Sequence, residues 1–195
     1  MAKKGLPQKI IVASGNAHKI EEIKSIFKGV ELIPMSEAGF DGDIEENGKT
    51  FKENALIKAR AVSDALHSPL PVMADDSGLC VDALNGAPGI FSARFSGGTS
   101  ADNRALLLQR MGNIPCRTAK FACAVCLYFP DGQYVFGEGF TYGKILAEER
   151  GDKGFGYDAL FFSDDLQKSF GEAAESEKNS VSHRFRALQD LRGRL

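Results

Sequence analysis

The sequence predicts one α/β domain, spanning residues 1–195, with a mixed β-sheet flanked by helices. Three observations lead to this fold class. Short apolar runs rich in β-branched residues alternate with segments whose apolar residues recur at helical spacing. Two strand-like runs are joined by a tight-turn signal, which adds antiparallel pairing to the sheet. A length of 195 residues suits one well-buried domain, and no repeat, linker or low-complexity segment divides it.

The first half of the chain predicts two strands and two helices. The apolar run at residues 9–13 is a strand, which the polar residues Ser14-Gly15-Asn16 end before a helix whose apolar residues lie three apart. Thr50 and Glu53 match a capping box, so a second helix is predicted from there to about residue 66. A strand follows at residues 71–74, and residues 79–84 extend it beyond a turn.

The second half predicts a hairpin between helical and irregular segments. Pro130-Asp131-Gly132 is the hairpin signal, because proline and glycine fit a tight turn between two apolar runs. In chain order, the predicted elements are a long loop at 85–98, a helix at 101–111, strands at 118–129 and 133–140, a glycine-rich loop at 151–156, a strand at 159–162 and a helix at 182–195.

The charge balance argues against a general nucleic-acid-binding protein. The chain has 24 Lys and Arg against 26 Asp and Glu, and no long run of one sign. No segment approaches the roughly 18 consecutive apolar residues of a membrane span. The start, Met1–Pro7, lacks the apolar centre of a signal peptide. These features predict a cytoplasmic protein that binds neither nucleic acid nor membrane.

Four cysteines raise the question of a disulfide or zinc site. Cys123 and Cys126 lie three apart in a strand-like run, so their side chains face opposite sides of the sheet and cannot share a metal. Cys80 and Cys116 have no partner nearby in the sequence. We expect four thiols in the core and no metal bound by cysteine.

The tract Ala74-Asp75-Asp76-Ser77-Gly78 closes an apolar strand with two adjacent carboxylates. Two unpaired anions at the end of a buried strand are costly, and a divalent cation or a charged side chain is the usual partner. The alternative is a simple turn, in which Asp and Ser bond their own backbone and glycine takes positive φ. Both interpretations remain open on this tract alone.

Two further features indicate a binding site for phosphate. The segment Ser14-Gly15-Asn16-Ala17-His18-Lys19 leads into a helix N-terminus and offers a hydroxyl, an amide and an ammonium group. Lys58 falls inside the apolar arc of the second helix, where a lysine either pairs with an anion or extends past its neighbours to water. Glu45 and Glu46 precede the same helix and would supply oxygen ligands for Mg²⁺, or form a solvated acidic loop.

Two features near the C-terminus suit recognition of a nucleobase. In Gly154-Phe155-Gly156-Tyr157-Asp158 an aromatic ring is flanked by glycines, which suits stacking on a base, and Asp158 could accept from a ring N–H group. A turn with a buried Phe is the alternative. Ser182-His183-Arg184 opens the last helix and offers a cap followed by two donors; a plain capped helix explains the same residues.

Taken together, these motifs resemble the inosine triphosphate pyrophosphatase family, which removes non-canonical purine nucleoside triphosphates. The match is colinear and spans nearly the whole chain. Its motifs are Ser14–Lys19, Glu45-Glu46, Thr50–Ala55, Ala74–Leu79, Gly86–Arg94, Gly154–Asp158 and Ser182–Arg184.

The resemblance implies an enzyme that hydrolyses ITP, dITP and XTP to the monophosphate and pyrophosphate with Mg²⁺. It implies a homodimer whose subunit has a long sheet and an active-site cleft between two lobes. It also assigns roles to individual residues: phosphate binding to Ser14, Gly15, Asn16, Ala17, His18, Lys19 and Lys58, metal binding to Glu45 and Asp76, general-base catalysis to Asp76, and further substrate binding to Ser77, Phe155, Gly156, Tyr157, Asp158, Lys178, His183 and Arg184.

Departures from the family pattern are mild. Ser14 stands where Thr is common, Phe91 and Phe95 stand where Tyr is often seen, and Ala159 replaces a frequent Pro. Two alternative functions differ from the one implied: a pyrophosphatase of the Maf-like type acting on modified or pyrimidine nucleotides, and a nucleotide-binding regulator without turnover.

Overall fold

A computed structural model describes residues 4–195 and contains one seven-stranded sheet in that range. The sheet is mixed: β1 pairs in parallel with β2 and β3, whereas β6 pairs antiparallel with β5 and β7. The strand order is β2-β1-β3-β4-β5-β6-β7. The strands are β1 (Lys9–Val12), β2 (Glu31–Pro34), β3 (Val72–Val81), β4 (Thr118–Tyr128), β5 (Tyr134–Ile145), β6 (Phe161–Ser163) and β7 (Lys168–Ser169).

Five α-helices accompany the sheet in the described part of the chain, which confirms the predicted α/β class. They are α1 (Ala17–Ile26), α2 (Phe51–Leu66), α3 (Ser100–Met111), α4 (Glu175–Val181) and α5 (His183–Arg194). Short 3₁₀ turns lie at Asp82–Leu84, Gly89–Arg94 and Asp158–Leu160. None of the described helices is long and apolar enough to cross a membrane.

The chain forms two compact units. Unit 1 comprises the chain up to Asp76 together with Cys123–Gly139 and Arg184–Leu195, and unit 2 comprises Ser77–Ala122 and Phe140–His183. Strands β3, β4 and β5 each contribute residues to both units.

Unit 1 has a core on each face of its strands. Successive side chains of a strand point to opposite faces, so β1 and β3 each supply both cores. One core contains Val12, Met73 and Cys123 with apolar residues of α1 and α5, and the other contains Ala74 and Cys126 with apolar residues of α2. Neighbouring residues of β3 in unit 1 therefore face different helices.

Unit 2 has a core built around aromatic rings. Phe121 lies 4.6 Å from Phe161 and stacks on Phe170 at 6.0 Å, measured between ring centroids. Leu79 and Leu107 are fully buried in the same cluster. Tyr157 belongs to the same cluster.

The structure corrects several predicted elements. Strand β3 runs without interruption from Val72 to Val81, so the two carboxylates lie within a strand, and the turn at residues 75–78 does not form. Residues 158–160 form a 3₁₀ turn rather than the start of a strand. The short elements β2, β7 and α4 were not predicted, because two to seven residues carry too little periodicity to be recognised.

The capping box before α2 also forms differently. Thr50 accepts a hydrogen bond from the Glu53 amide at 3.1 Å, as predicted. The Glu53 carboxylate, however, accepts from the amide of Lys49 rather than that of Thr50. Thr50 remains the N-cap. The Glu53 carboxylate bonds the residue before the N-cap, whereas in a capping box it would bond the N-cap residue itself.

All four thiols are free, and Cys123 and Cys126 lie buried in the two different cores of unit 1 as predicted. Cys116 is exposed and Cys80 is half-buried, so the prediction of four core thiols is wrong for these two. Burial raises the pKa of the Cys123 and Cys126 thiols to about 12, which keeps both protonated and unreactive.

Candidate active site

The adjacent carboxylates of Asp75 and Asp76 point to opposite faces of β3 in unit 1. Asp75 follows the face of Met73, toward α1 and α5, and Asp76 follows the face of Ala74, toward α2. Each carboxylate therefore meets a different set of cations, although the two residues are neighbours in the chain.

Asp75 is held by two cations and has no exposed side-chain surface. Arg184 donates to its Oδ2 from Nε at 3.2 Å and from Nη2 at 3.1 Å, and the Lys19 ammonium lies 3.2 Å from the same oxygen. Burial alone would raise the pKa of this carboxyl, but Lys19 and Arg184 outweigh it and hold the pKa far below its usual range. Asp75 is therefore a permanent anion.

Arg184 pairs with a second carboxylate as well. Its Nη1 donates to Glu22 of α1, and the guanidinium side chain is only 1% exposed. Burial would lower the pKa of Arg184, but Asp75 and Glu22 raise it above its ordinary value. Sequence reasoning gave Glu22 no role; its place at the edge of the apolar arc of α1 was the available signal.

Asp76 has a different environment. Its Oδ1 lies 3.4 Å from the Lys58 ammonium, its Oδ2 accepts from the Asn54 amide at 3.1 Å, and its side chain is 9% exposed. Burial raises the pKa of the Asp76 carboxyl, and the nearby Lys58 and Lys19 only partly counteract this. A carboxylate whose pKa is raised binds a proton more readily, as a general base must.

Lys58 is buried, as its place in the apolar arc of α2 indicated, and it pairs with anions rather than extending to water. Its ammonium lies 3.2 Å from a Glu46 oxygen as well as 3.4 Å from Asp76. Burial lowers the pKa of Lys58, but Asp76, Asp75 and Glu46 together raise it above the usual value. The lysine therefore stays charged beside Asp76.

Asn54 lies in the Thr50–Ala55 motif, but sequence reasoning gave it no role in the site. It lies one helical turn before Lys58 and is fully buried, and its amide joins two parts of the site. Its Nδ2 donates to Asp76, and its Oδ1 accepts from the Gly48 amide at 2.9 Å. A Cβ at Gly48 would lie 2.6 Å from that oxygen, so only glycine allows this close approach. Two polar residues spaced i, i+4 on the buried face of a helix were the signal for it.

The loop between β1 and α1 leads into the N-terminus of α1, and two of the backbone amides there are bonded by side chains of the same segment. Asn16 is the N-cap, and its Oδ1 accepts from the Lys19 amide at 3.2 Å, while Ser14 Oγ accepts from the Asn16 amide at 3.2 Å. Ala17 and His18 are exposed, as is Gly15. Lys19 extends from the first turn of α1 to Asp75.

Glu45 is exposed and lies in the loop before α2, which the hydrogen bond between Gly48 and Asn54 ties to that helix. Glu46 is half-buried against Lys58. Within residues 4–195, no three His, Cys, Asp or Glu side chains are grouped closely enough to hold a metal ion. Mg²⁺ usually takes only one or two protein carboxylates and completes its shell with phosphate oxygens and water. The oxygen donors of Glu45 and Asp76 suit that ion.

In unit 2 the predicted base-binding residues are linked by a buried ion pair. The Lys178 ammonium donates to Asp158 Oδ2 at 2.7 Å, and both side chains are 5% exposed. The same oxygen accepts from the Phe155 amide at 2.8 Å, and the ammonium lies 4.5 Å from the centroid of the Phe155 ring. Phe155, Asp158 and Lys178 thus form one group, with the Phe155 ring half-buried.

Two other predicted residues of unit 2 face its interior. Tyr157 is buried in the aromatic core, and its hydroxyl donates to the Ser92 carbonyl at 2.9 Å. His183 stacks on Phe121 with ring centroids 4.8 Å apart. Gly156 has a φ of 61°, and Ser77 is half-buried in β3.

The structure thus groups the predicted residues into two sets. In unit 1, Lys58 lies beside Asp76, while Lys19 and Arg184 both contact Asp75. In unit 2, Phe155, Asp158 and Lys178 lie together. The contacts described for the Arg184 guanidinium are with carboxylates of unit 1, and its role in reading the base stays a prediction.

Comparison with known proteins identifies the family. The model of the Ham1 family matches residues 10–194. A protein of Clostridium perfringens named dITP/XTP pyrophosphatase is 46% identical, over 96% of this chain and 97% of its own. One of the same name from Haemophilus influenzae is 45% identical, over 97% of this chain and 100% of its own.

A solved structure of the same family is also similar to this chain. The Ham1 protein of Staphylococcus aureus has a TM-score of 0.85 at 40% identity and covers 95% of this chain and 96% of its own. The resemblance read from the motifs is confirmed, and the chain belongs to the Ham1 family.

Proposed function

We propose that this protein hydrolyses the triphosphates of deaminated purines, dITP, XTP and ITP, to the monophosphate and pyrophosphate, and so removes them from the nucleotide pool. The observation that carries the proposal is the Asp76 carboxylate, which lies 3.4 Å from the Lys58 ammonium with its pKa raised. A base beside a cation is what attack of water on a phosphate requires. The names of the relatives supply the substrate class.

The reaction is a displacement at the α-phosphorus. The oxygen of a water molecule bonds to that phosphorus while Asp76 accepts the proton the water loses. The bond between the α-phosphorus and the oxygen bridging to the β-phosphate breaks, and pyrophosphate leaves with the electron pair. Lys58 and Lys19 stabilise the negative charge on the phosphate oxygens.

Asp75 and Arg184 support this chemistry indirectly. Because Asp75 Oδ2 lies 3.2 Å from Lys19, the carboxylate fixes the ammonium that phosphate would meet. Arg184 neutralises Asp75, so the pair holds Lys19 without leaving an unbalanced buried charge. Within the segment that leads into α1, the amides of the exposed residues Gly15 and Ala17 would supply further donors to phosphate.

A divalent cation, Mg²⁺ in our proposal, would be held by Glu45 and Asp76. When bound, it neutralises phosphate charge and lowers the barrier to displacement. Asn54 orients Asp76 for this role and at the same time fixes the loop of Glu45 through Gly48.

The base is read by the group of Phe155, Asp158 and Lys178, with Ser77 and His183 as further contacts. The Phe155 ring offers a stacking face. Lys178 donates and Asp158 accepts, so the pair matches a purine with a 6-keto oxygen and an adjacent ring N–H group. Adenine presents the opposite pattern and would leave these groups unpaired.

A pyrophosphate-release assay over a nucleotide panel tests the proposal. We expect dITP, XTP and ITP to exceed dATP in kcat/KM by at least about 10²-fold. Fastest turnover of dTTP or UTP would instead favour the Maf-like activity, and tight ITP binding without pyrophosphate release would favour a regulator. The homodimer and the cytoplasmic location remain predictions, the first of which sedimentation equilibrium tests directly.

A further inference from the structure

The segment from Gly154 to Asp158, here named the base loop, has a glycine on each side of Phe155. Gly154 and Gly156 have φ values of 74° and 61°, in the region that glycine enters freely. Two such residues around Phe155 leave the direction of its ring dependent on outside contacts. We infer that Arg104 of α3 is the positioning residue that holds the base loop in its recognition shape, an inference that rests on the base-reading role proposed above.

Arg104 reaches the centre of the base loop. Its Nη1 donates to the Gly156 carbonyl at 2.9 Å, and its Nε donates to Glu149 at 2.8 Å. The rigid, planar guanidinium can make both bonds at once, which an ammonium cannot do in the same geometry. The Arg104 side chain is 19% exposed and Glu149 is 44% exposed, so the carbonyl contact is the more shielded of the two.

A second contact holds the next residue of the loop. The Tyr157 hydroxyl donates to the Ser92 carbonyl, and the Asn103 amide, also from α3, donates to the neighbouring Ala93 carbonyl at 3.1 Å. Asn103 is buried. Both residues are thus held by α3: Gly156 directly through Arg104, and Tyr157 through the segment at residues 92–93.

The position of the Gly156 carbonyl matters because it fixes the peptide plane between Gly156 and Tyr157. Phe155 precedes this peptide group in the chain, and its amide donates to Asp158. Asp158 follows it, and its amide donates back to the Phe155 carbonyl at 3.1 Å. Rotation of the plane would disturb both bonds and turn the Phe155 ring away from Lys178.

The simpler interpretation is that Arg104 only forms a surface ion pair with Glu149. Such pairs contribute little when solvent-exposed. Glu149→Gln removes the ion pair and leaves the bond to Gly156, whereas Arg104→Met removes both and keeps the apolar stem. The two variants therefore separate the interpretations.

Hydrogen–deuterium exchange in the absence of nucleotide tests the positioning directly. We expect the Phe155 and Asp158 amides to exchange about fivefold faster in Arg104→Met, the effect of losing one hydrogen bond, and at the wild-type rate in Glu149→Gln. Unchanged exchange in Arg104→Met, or equal acceleration in both variants, would overturn the inference. Arg104→Leu, which also removes both bonds, replaces Arg104→Met should the latter not fold.

Kinetics then test the consequence for recognition. In Arg104→Met we expect the KM for ITP to rise about five- to tenfold with kcat within about twofold of wild type. Inhibition by inorganic tripolyphosphate, which has no base, should keep its wild-type Ki. A parallel rise in that Ki, or an unchanged KM, would refute a role in base recognition.

Failure of the proposed base site gives a different result. If Phe155→Ala leaves the KM for ITP unchanged, the base loop does not read the base, whatever Arg104 does to amide exchange. If Phe155→Ala raises KM and Arg104→Met does not, the base site stands and the inference about Arg104 fails.

Discussion

Asp75 and Asp76 are neighbours in β3, yet their surroundings differ. Asp75 is fully buried between an arginine and a lysine, and its pKa is lowered; Asp76 is slightly exposed beside a lysine and an amide, and its pKa is raised. The alternation of a β-strand produces this difference, because each side chain is delivered to a different helix. One carboxylate is therefore fixed by ion pairs within the fold, and the other has the raised pKa that our proposal requires of a general base.

The largest effect is expected on the Asp75 side, from removal of its arginine. Arg184→Met keeps much of the volume but leaves Asp75 and Glu22 as buried anions with less compensation. We expect the free energy of unfolding to fall by about 3–5 kcal/mol, measured by urea denaturation.

A double variant provides the control for Arg184→Met. Adding Glu22→Gln removes the negative charge of one of the two carboxylates that lose Arg184, and should restore part of the lost stability. A loss below about 1 kcal/mol in Arg184→Met would contradict the structural assignment of the Asp75 side and remove the basis of the comparison.

The second prediction concerns the Asp76 side, where chemistry rather than stability should suffer. Asp76→Asn keeps the shape and the bond to Asn54 but cannot accept a proton, so kcat for ITP should fall by about 10²–10⁴-fold. Thermal unfolding should change little. The matched variant Asp75→Asn should show the reverse balance, with a smaller loss of kcat and a larger loss of stability.

Equal losses of kcat in Asp75→Asn and Asp76→Asn would break the comparison, since the two sides would then not be separable. A wild-type kcat in Asp76→Asn would end its assignment as general base.

The sequence indicated which residues belong to the candidate site, but not how they pair with one another. Lys58 could be placed facing inward because helical periodicity relates one side chain to its neighbours on the same helix. The family resemblance singled out Asp76. The sequence could not explain why its surroundings differ from those of Asp75, because that difference depends on α1, α2 and α5, which pack against β3 only in the folded chain. For the same reason Glu22 and Arg184, 162 residues apart, could not be recognised as partners.

The same dependence on tertiary contacts limited the prediction of secondary structure. Long elements such as α2 and β4 have enough residues for their period to be recognised, and their predicted ranges are close to the observed ones. The tract at residues 74–78 was predicted as a turn or strand end on its composition, yet it continues as a strand. The composition of that tract favours a turn, but the cations on both faces of β3 stabilise its carboxylates in extended backbone, and tertiary contacts override the local preference.

The smallest of the three effects is expected for Lys58, which belongs to the Asp76 side but is itself held by two carboxylates. Lys58→Met keeps the stem and removes the charge, so kcat/KM for ITP should fall roughly 10- to 100-fold, the range for losing about 1.5–3 kcal/mol of hydrogen bonding to a charged group. Stability should change less than in Arg184→Met, because Asp76 keeps the Asn54 bond and some exposure to water. Steady-state kinetics with urea denaturation of the same preparation measures both quantities. Lys52→Met, which removes an exposed lysine of the same helix that pairs with Glu138, is the matched control and should leave kcat/KM at the wild-type value. If Lys58→Met matches that control in kinetics, the ammonium serves only to neutralise Asp76 and Glu46, and the Asp76 side would resemble the Asp75 side in being structural.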